Sequence, residues 1–245
     1  MDNSTNKPRE FILDLFFPKF CLGCQKEGTY LCDDCRALLD INEFDYCLCE
    51  TKPQRIPNSQ ENGKCPKCKD KKLSGIYFAL PYKDKQLTKK LIYQFKYKPY
   101  LKDLAKTLAS ILIEHFVLSG KNTDGIWGNS VLVPVPLDKK KLKTRGYNQA
   151  EELAKELSKI LQVLIISENL IKIKPTKPQM ELNKAEREKN LEGAFTIKNP
   201  QELLAKKVFL VDDVYTTGST MQECALVLHK AGIKEVWGIC LAREG

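Results

Sequence analysis

The sequence predicts an α/β protein: a parallel, doubly wound sheet preceded by a small cysteine-rich module. Three observations carry this. Eight of the ten cysteines lie between Cys21 and Cys68. Beyond residue 72, strand-like apolar runs alternate with helix-spaced ones. Near the C-terminus the stretch VFLVDDVYTTGST, residues 208–220, begins as a buried strand, stops on two carboxylates and turns through hydroxyls and a glycine.

The bounds are set first by size and charge. At 245 residues the chain holds one sizeable α/β domain plus a small module, or a single large domain. The 40 basic against 31 acidic residues leave a net charge of +9. That balance favours polyanionic partners, phosphorylated metabolites or nucleic acid, although a lysine-rich surface serving solubility gives the same number. No run approaches the 18 or so apolar residues that span a bilayer, and FILDLFF, Phe11 to Phe17, is split by Asp14. A cytoplasmic protein without direct membrane insertion is expected.

The cysteines come in pairs. CLGCQKEGTYLCDDC carries Cys21/Cys24 and Cys32/Cys35 as two C-x-x-C knuckles, whose two-residue spacing aims both thiolates at one tetrahedral ion. Cys47/Cys49 as C-x-C and Cys65/Cys68 in CPKC form a second group of four. Disulfides are the competing explanation, and a reducing cytosol disfavours them. Two zinc ions, each closed by four thiolates, would be structural, because so short and polar a segment cannot fold on burial alone. Such ribbons either touch nucleic acid or serve as plain scaffolds. The domain boundary is placed at residue 72, giving a module over 1–72 and a larger domain over 73–245.

Within the larger domain GIYFALPY (75–82) reads as a strand. Leu87, Leu91, Ile92 and Phe95 share one helix face, and Leu101, Leu104, Leu108, Ile111 and Leu112 a second after Pro99 interrupts. His115, at the end of that pattern, reads as a surface or packing residue. VLVPVP (131–136) is a buried strand; DKKKLKTRGYNQ reads as a flexible basic loop; Asn148 caps an amphipathic helix to Leu161. VLIISENLIKI reads as one strand-like stretch leading into a polar run. KVFLVDD, then STMQECALVLHKAG ended by Gly232, then EVWGICLA, complete a strand, helix, strand series. His229, near the end of that helix, reads as packing or capping.

In an open parallel sheet, ligands sit beyond the carboxyl ends of the strands, where the next helix offers free N–H groups and a positive dipole end. Thr216, Thr217, Gly218, Ser219 and Thr220 make such a turn: the glycine permits close backbone approach and the hydroxyls can surround one phosphate. Asp212 and Asp213 stand where carboxylates accept hydrogen bonds from a vicinal diol. Phosphate and diol at that separation suggest a ribose 5-phosphate. VFLVDD also fits a Walker B strand, but the sequence has no G-x-x-x-x-G-K-[ST] loop, and it has no G-x-G-x-x-G fingerprint.

This thirteen-residue segment resembles the phosphoribosyl-pyrophosphate (PRPP) motif of type I phosphoribosyltransferases. The resemblance implies that fold, with Asp212 and Asp213 at the ribose hydroxyls, Thr216 to Thr220 on the 5-phosphate, and magnesium bound through ligand oxygens and pyrophosphate. Over nearly the whole chain the order FFPKFCLGC, paired cysteines, LIYQFKYK, PVPL, RGYNQA, the KPQ…L…R…N run ending in GAF, and the PRPP motif resembles the ComF family of competence-associated phosphoribosyltransferase-like proteins. Two departures stand out: Cys47/Cys49 is C-x-C where C-x-x-C is usual, and KIKPTKPQ carries lysines where arginines are typical.

Catalytic candidates are thus Asp212, Asp213 and Arg145, whose guanidinium can hold two oxygens of a departing pyrophosphate. Lys139, Lys140, Lys141 and Lys143 on the same stretch add mobile charge, with Lys143, Lys96 and Arg187 the further phosphate candidates. The family likeness implies PRPP, single-stranded DNA and competence-machinery proteins, helicase-like or membrane-channel components, as partners. Two functions follow: transfer of a ribosyl group to an acceptor the sequence does not reveal, or binding of single-stranded DNA by a protein whose PRPP site is a relic. Tyr93, Tyr97, Tyr100 and Tyr147 are stacking candidates for the second.

Overall fold

The computed structural model describes residues 18–57, 62–83, 85–121, 124–175, 190–204 and 206–244. The apolar run at 11–17, the polar run at 176–189 and Arg187 within it lie outside them. Among the described residues the elements begin with helix α1 (Asp33–Ala37) and the short strands β1 (Asp45–Tyr46) and β2 (Arg55–Ile56), paired antiparallel. There follow β3 (Gly75–Pro81), α2 (Gln86–Lys96), α3 (Leu104–Leu118), α4 (Asp124–Trp127), β4 (Ser130–Pro134), α5 (Lys139–Arg145) and α6 (Gln149–Leu161). The chain continues through β5 (Leu164–Ile165), β6 (Leu170–Lys172), β7 (Phe195–Ile197), β8 (Lys207–Tyr215), α7 (Ser219–Lys230) and β9 (Val236–Arg243).

Five of these strands form one parallel sheet in the order β3-β9-β8-β4-β5. Side chains of a strand alternate between faces, so each face collects every second residue. Tyr77, Phe209, Val211, Trp237 and Ile239 pack with α3 and α6 on one side; Ile76, Phe78, Val208, Leu210, Val236 and Cys240 pack with α7 on the other. Strand β8, at the centre, is buried on both faces over Val208–Val211, which is why its sequence reads as a continuous apolar run. Cys21, Cys32 and Cys35 join the first core, and Cys47, Cys65 and Cys68 the second.

Two stretches differ from the sequence expectation. The basic segment read as a flexible loop is helix α5. The Asp138 carboxylate accepts the Lys140 N–H at 2.9 Å at its start, and Gly146, at φ +84°, donates its N–H to Leu142 O at its end. Lysine is a good helix former, so these two caps suffice to order the segment. VLIISENLIKI is two strands in two sheets: β5 pairs with β4, whereas β6 pairs antiparallel with β7. The buried Asn169 redirects the chain between them, its amide donating to Asn199 O at 2.7 Å and its Oδ1 accepting the Asn199 N–H at 2.9 Å.

His115 is fully buried, its Nδ1 2.6 Å from Asn42 O, a packing role. His229 spans Ile233 O and Lys72 O, fastening the end of α7 to the chain just before β3. Among the described residues no helix is long and apolar enough to cross a membrane.

Candidate functional site

A cleft of about 1000 Å³ opens at the C-terminal ends of β4 and β8, bounded by α2, α5, the start of α7 and the β6–β7 pair. Its floor is the turn 216–220. Gly218 is the N-cap of α7 at φ +75°, and a Cβ placed there would overlap the ring of Tyr215. Only glycine fits both conditions, and without a side chain there a ligand in the cleft can approach the backbone at the start of α7 closely. The Thr217 and Ser219 hydroxyls lie 2.8 Å apart, and the Ser219 N–H points at Thr217 Oγ1. Thr216, Gly218, Ser219 and Thr220 line the cleft directly.

The two acids diverge because consecutive strand residues face opposite ways. Asp213, almost fully buried, meets the Lys96 ammonium of α2 at 2.8 Å. Burial opposes the charge on Lys96, but the Asp213 carboxylate outweighs it and the lysine pKa rises. Asp212 faces the side of Cys224 and Cys240 and accepts the Asp213 N–H at 2.8 Å. Burial, and then the neighbouring Asp213 charge, push Asp212 up to about 7, against the pull of Lys96. The site therefore holds one carboxylate locked in an ion pair and one poised near neutrality.

Around this floor stand Lys141 and Arg145 of α5, Tyr93 of α2 and Tyr97 just past its end, and Lys172 and Phe195 of β6 and β7. Arg145 lies with its guanidinium carbon 5.9 Å from the Tyr97 ring centre. Lys143 is exposed and is not among the residues lining the cleft, since a helix that turns Lys141 and Arg145 inward turns Lys143 away. The rings of Tyr93 and Tyr97, one turn apart, sit 4.9 Å centre to centre and remain largely exposed. Tyr147 instead is core, its hydroxyl donating to Phe95 O, and Tyr100 packs partly buried against the same core. Sequence reasoning missed Lys172 and Phe195, whose strands are only three residues each; the pairing that brings them over the cleft leaves no periodic signal.

Both cysteine groups are gathered for metal. The four sulfurs of Cys21, Cys24, Cys32 and Cys35 lie within 4.8 Å of one another, as do those of Cys47, Cys49, Cys65 and Cys68. Cys24 to Cys32 and Cys49 to Cys65 are 3.5 Å apart, and Cys65 to Cys68 3.7 Å, close to the roughly 3.8 Å edge of a tetrahedron with Zn–S bonds of about 2.3 Å. All eight are free thiols. Backbone N–H groups of Cys32, Gln54 and Cys65 point at Cys21, Cys47 and Cys68 sulfurs, as thiolates require. Burial raises Cys21, but backbone hydrogen bonds outweigh it and bring the thiol down to about 6; burial and the neighbouring thiols drive Cys35 and Cys49 up to about 12. Four crowded sulfurs that cannot all ionise alone are what a divalent cation reconciles. The fit to zinc is good in both sites.

The cleft fits magnesium differently. Both acids line the cleft; with Asp213 engaged by Lys96, Asp212 is the carboxylate without an ion pair among the described residues. One carboxylate beside hydroxyls cannot cage an ion but suits Mg²⁺, which keeps waters and substrate oxygens.

A parallel sheet with acids and a glycine-centred turn at the end of its central strand defines a phosphoribosyl transferase domain. The family model of that description matches residues 98–245. The chain is 32% identical over 240 residues to Competence protein F of Haemophilus influenzae, covering 93% of this chain and 99% of the relative. It is 33% identical over 153 residues to DNA utilization protein YhgH of Escherichia coli (62% and 66% covered), and 27% identical over 221 residues to Competence protein ComFC of Streptococcus pneumoniae (84% and 92% covered). The chain belongs to the ComF family of phosphoribosyl transferase-domain proteins.

Proposed function

We propose that the chain binds Mg–PRPP in this cleft as a phosphoribosyltransferase and acts on DNA during natural transformation or DNA utilisation. One observation carries the reading: the glycine-capped start of α7 lies in the cleft with its hydroxyls, beside one carboxylate ion-paired to Lys96 and a second that has no ion pair among the described residues. The names of the relatives, competence and DNA utilization proteins, support the cellular role.

In this reading the N-terminus of α7 with Thr216, Ser219 and Thr220 takes the 5-phosphate, and Thr217 holds the Ser219 hydroxyl in place. Asp212 accepts hydrogen bonds from the ribose hydroxyls. Lys96 is held by Asp213 and brings positive charge within reach of C1. Arg145, with Lys141 on the same side of α5, receives the departing pyrophosphate as the C1–O bond loosens into an oxocarbenium-like state, and Lys143 adds to the positive field. Magnesium, if bound beside Asp212 through ligand oxygens and water, would neutralise part of the pyrophosphate charge. Arg187 is proposed as a further phosphate contact.

A second reading, a single-strand-binding factor with a relic PRPP site, is favoured by the exposed Tyr93/Tyr97 pair beside Lys89, Lys90 and Arg145, which suits stacked bases and phosphates. Calorimetry of Mg–PRPP against wild type and Asp213→Ala, run beside pyrophosphate release with and without single-stranded DNA, decides. Losing the charged partner should weaken PRPP by about 10- to 150-fold, from about 1.5 to 3 kcal/mol. Wild type that shows no PRPP binding sinks the first reading; strand binding that survives Tyr93→Ala/Tyr97→Ala, or ignores salt, sinks the second.

A further inference from the structure

Arg243, the last residue of β9, is 1% exposed. Its Nη1 donates to Cys47 O at 2.8 Å and its Nη2 to Cys49 O. The guanidinium carbon lies 5.4 Å from the ring centre of Phe78 and 5.6 Å from that of Tyr215. Among the described residues no carboxylate pairs with it. An uncompensated buried cation is costly, so its neighbours must supply negative potential. Carbonyls and ring faces supply part. Four thiolates around one Zn²⁺ carry two net negative charges and supply more on the same side.

Tyr215, also 1% exposed, pairs in register with Arg243 and is the residue whose ring fills the space beneath Gly218. Chain contacts therefore run without a gap from the second cysteine group, through the two carbonyls and the guanidinium, to the ring that supports the phosphate turn. The single residue between Cys47 and Cys49 lets carbonyls two positions apart converge on one guanidinium. The first cysteine group touches the cleft wall more loosely, through the exposed contact of Lys90 of α2 with Leu22 O at 3.4 Å; its main anchor is Arg36, which grips Glu114 and Ser110 of α3.

We infer that Arg243 is a positioning residue that couples the Cys47/Cys49/Cys65/Cys68 site to the PRPP turn, so that metal in that site sets PRPP affinity. The inference rests on the PRPP reading above. By linkage the coupling is reciprocal: PRPP must tighten metal at the second site by the factor by which that metal tightens PRPP.

The test uses the full chain with its zinc counted. Mg–PRPP is titrated by calorimetry into wild type, Arg243→Met, Arg243→Lys, Cys49→Ser and the Arg243→Met/Cys49→Ser double variant, with Arg36→Met as a control that breaks a comparable arginine anchor elsewhere. Arg243→Met and Cys49→Ser should each weaken PRPP by about tenfold, a typical coupling factor, and the double variant should be no weaker than either. Arg243→Lys should recover part of the loss, and Arg36→Met should stay within about twofold of wild type. Wild-type affinity in Arg243→Met, additive losses in the double variant, or an equal loss in Arg36→Met overturns the coupling. If the variants do not fold, wild type alone decides. At saturating Mg–PRPP a zinc chelator should withdraw one of the two ions at about tenfold higher concentration, and an unchanged withdrawal curve overturns the inference. Wild type that binds no PRPP fails the parent reading instead, and is seen as such before any variant is compared.

Discussion

Asp212 should make PRPP binding pH-dependent in a window where ordinary carboxylates are silent. Burial and then the charge of Asp213 raise its pKa to about 7, well above the ordinary carboxylate range. Ribose hydroxyls and magnesium both require the ionised form. With a pKa near 7 the ionised fraction is about one in eleven at pH 6 and about ten in eleven at pH 8, so affinity should rise about tenfold over that interval from this group alone. Binding should release a proton near pH 7, which calorimetry in buffers of different ionisation heat counts directly. The ligand's 5-phosphate also titrates near pH 6. Asp212→Asn therefore supplies the control, since it keeps the ligand's titration and removes the protein's. Stability follows the opposite sense. A folded-state pKa above the unfolded value favours the fold fully below about pH 4, and that contribution is lost as pH rises through about 7. Asp212→Asn should accordingly melt above wild type at pH 8 and level with it near pH 4. Equal pH slopes of affinity for wild type and Asp212→Asn would refute the assignment, because the whole dependence would then belong to the ligand.

Two further outcomes are expected. Gly218→Ala places a side chain at φ +75°, at about 1 kcal/mol for the backbone, and drives its methyl into a Tyr215 ring that Arg243 keeps from yielding; PRPP affinity should fall at least tenfold in calorimetry, and the melting temperature should drop. Cys24→Ser should lower zinc from two ions per chain to one in elemental analysis and speed proteolysis around α1, whereas two ions retained would show that the first group needs no fourth thiolate.

The parallel sheet was legible because its strands are buried on both faces, which makes their sequences near-continuous apolar runs, and because a helix-spaced pattern follows most of them. The PRPP turn was legible for a different reason. Gly218 and the paired acids are dictated by local backbone geometry, so their chemistry is written in adjacent letters. What the sequence hid depends on distant partners. The Lys96–Asp213 pair spans more than a hundred residues, and nothing near Lys96 in FKYK distinguishes it from Lys98. Helix α5 was read as a loop because four of its seven residues are lysine, and charge density concealed two good caps. Strands β6 and β7 were illegible because each is short and finds its partner only in three dimensions.

The composition change at residue 72 is chemical, and the core crosses it. The first cysteine group lies on the α3 side of the sheet and the second on the α7 side, so the cysteine-rich segment grips both faces at the β3 edge. Gln222 of α7 accepts the Lys72 N–H at 2.6 Å, and Asn42 donates to Phe78 O of β3. A module built this way transmits strain to the sheet it holds. Because Arg243 and Tyr215 occupy the ends of the adjacent strands β9 and β8, any loosening of the second cysteine group reaches the phosphate turn before it reaches the rest of the cleft. Arg36 ties the first group to α3, which does not border the cleft, and the contact of that group with the cleft wall, Lys90 to Leu22 O at 3.4 Å, is exposed and long. Loosening there should cost stability and spare the ligand.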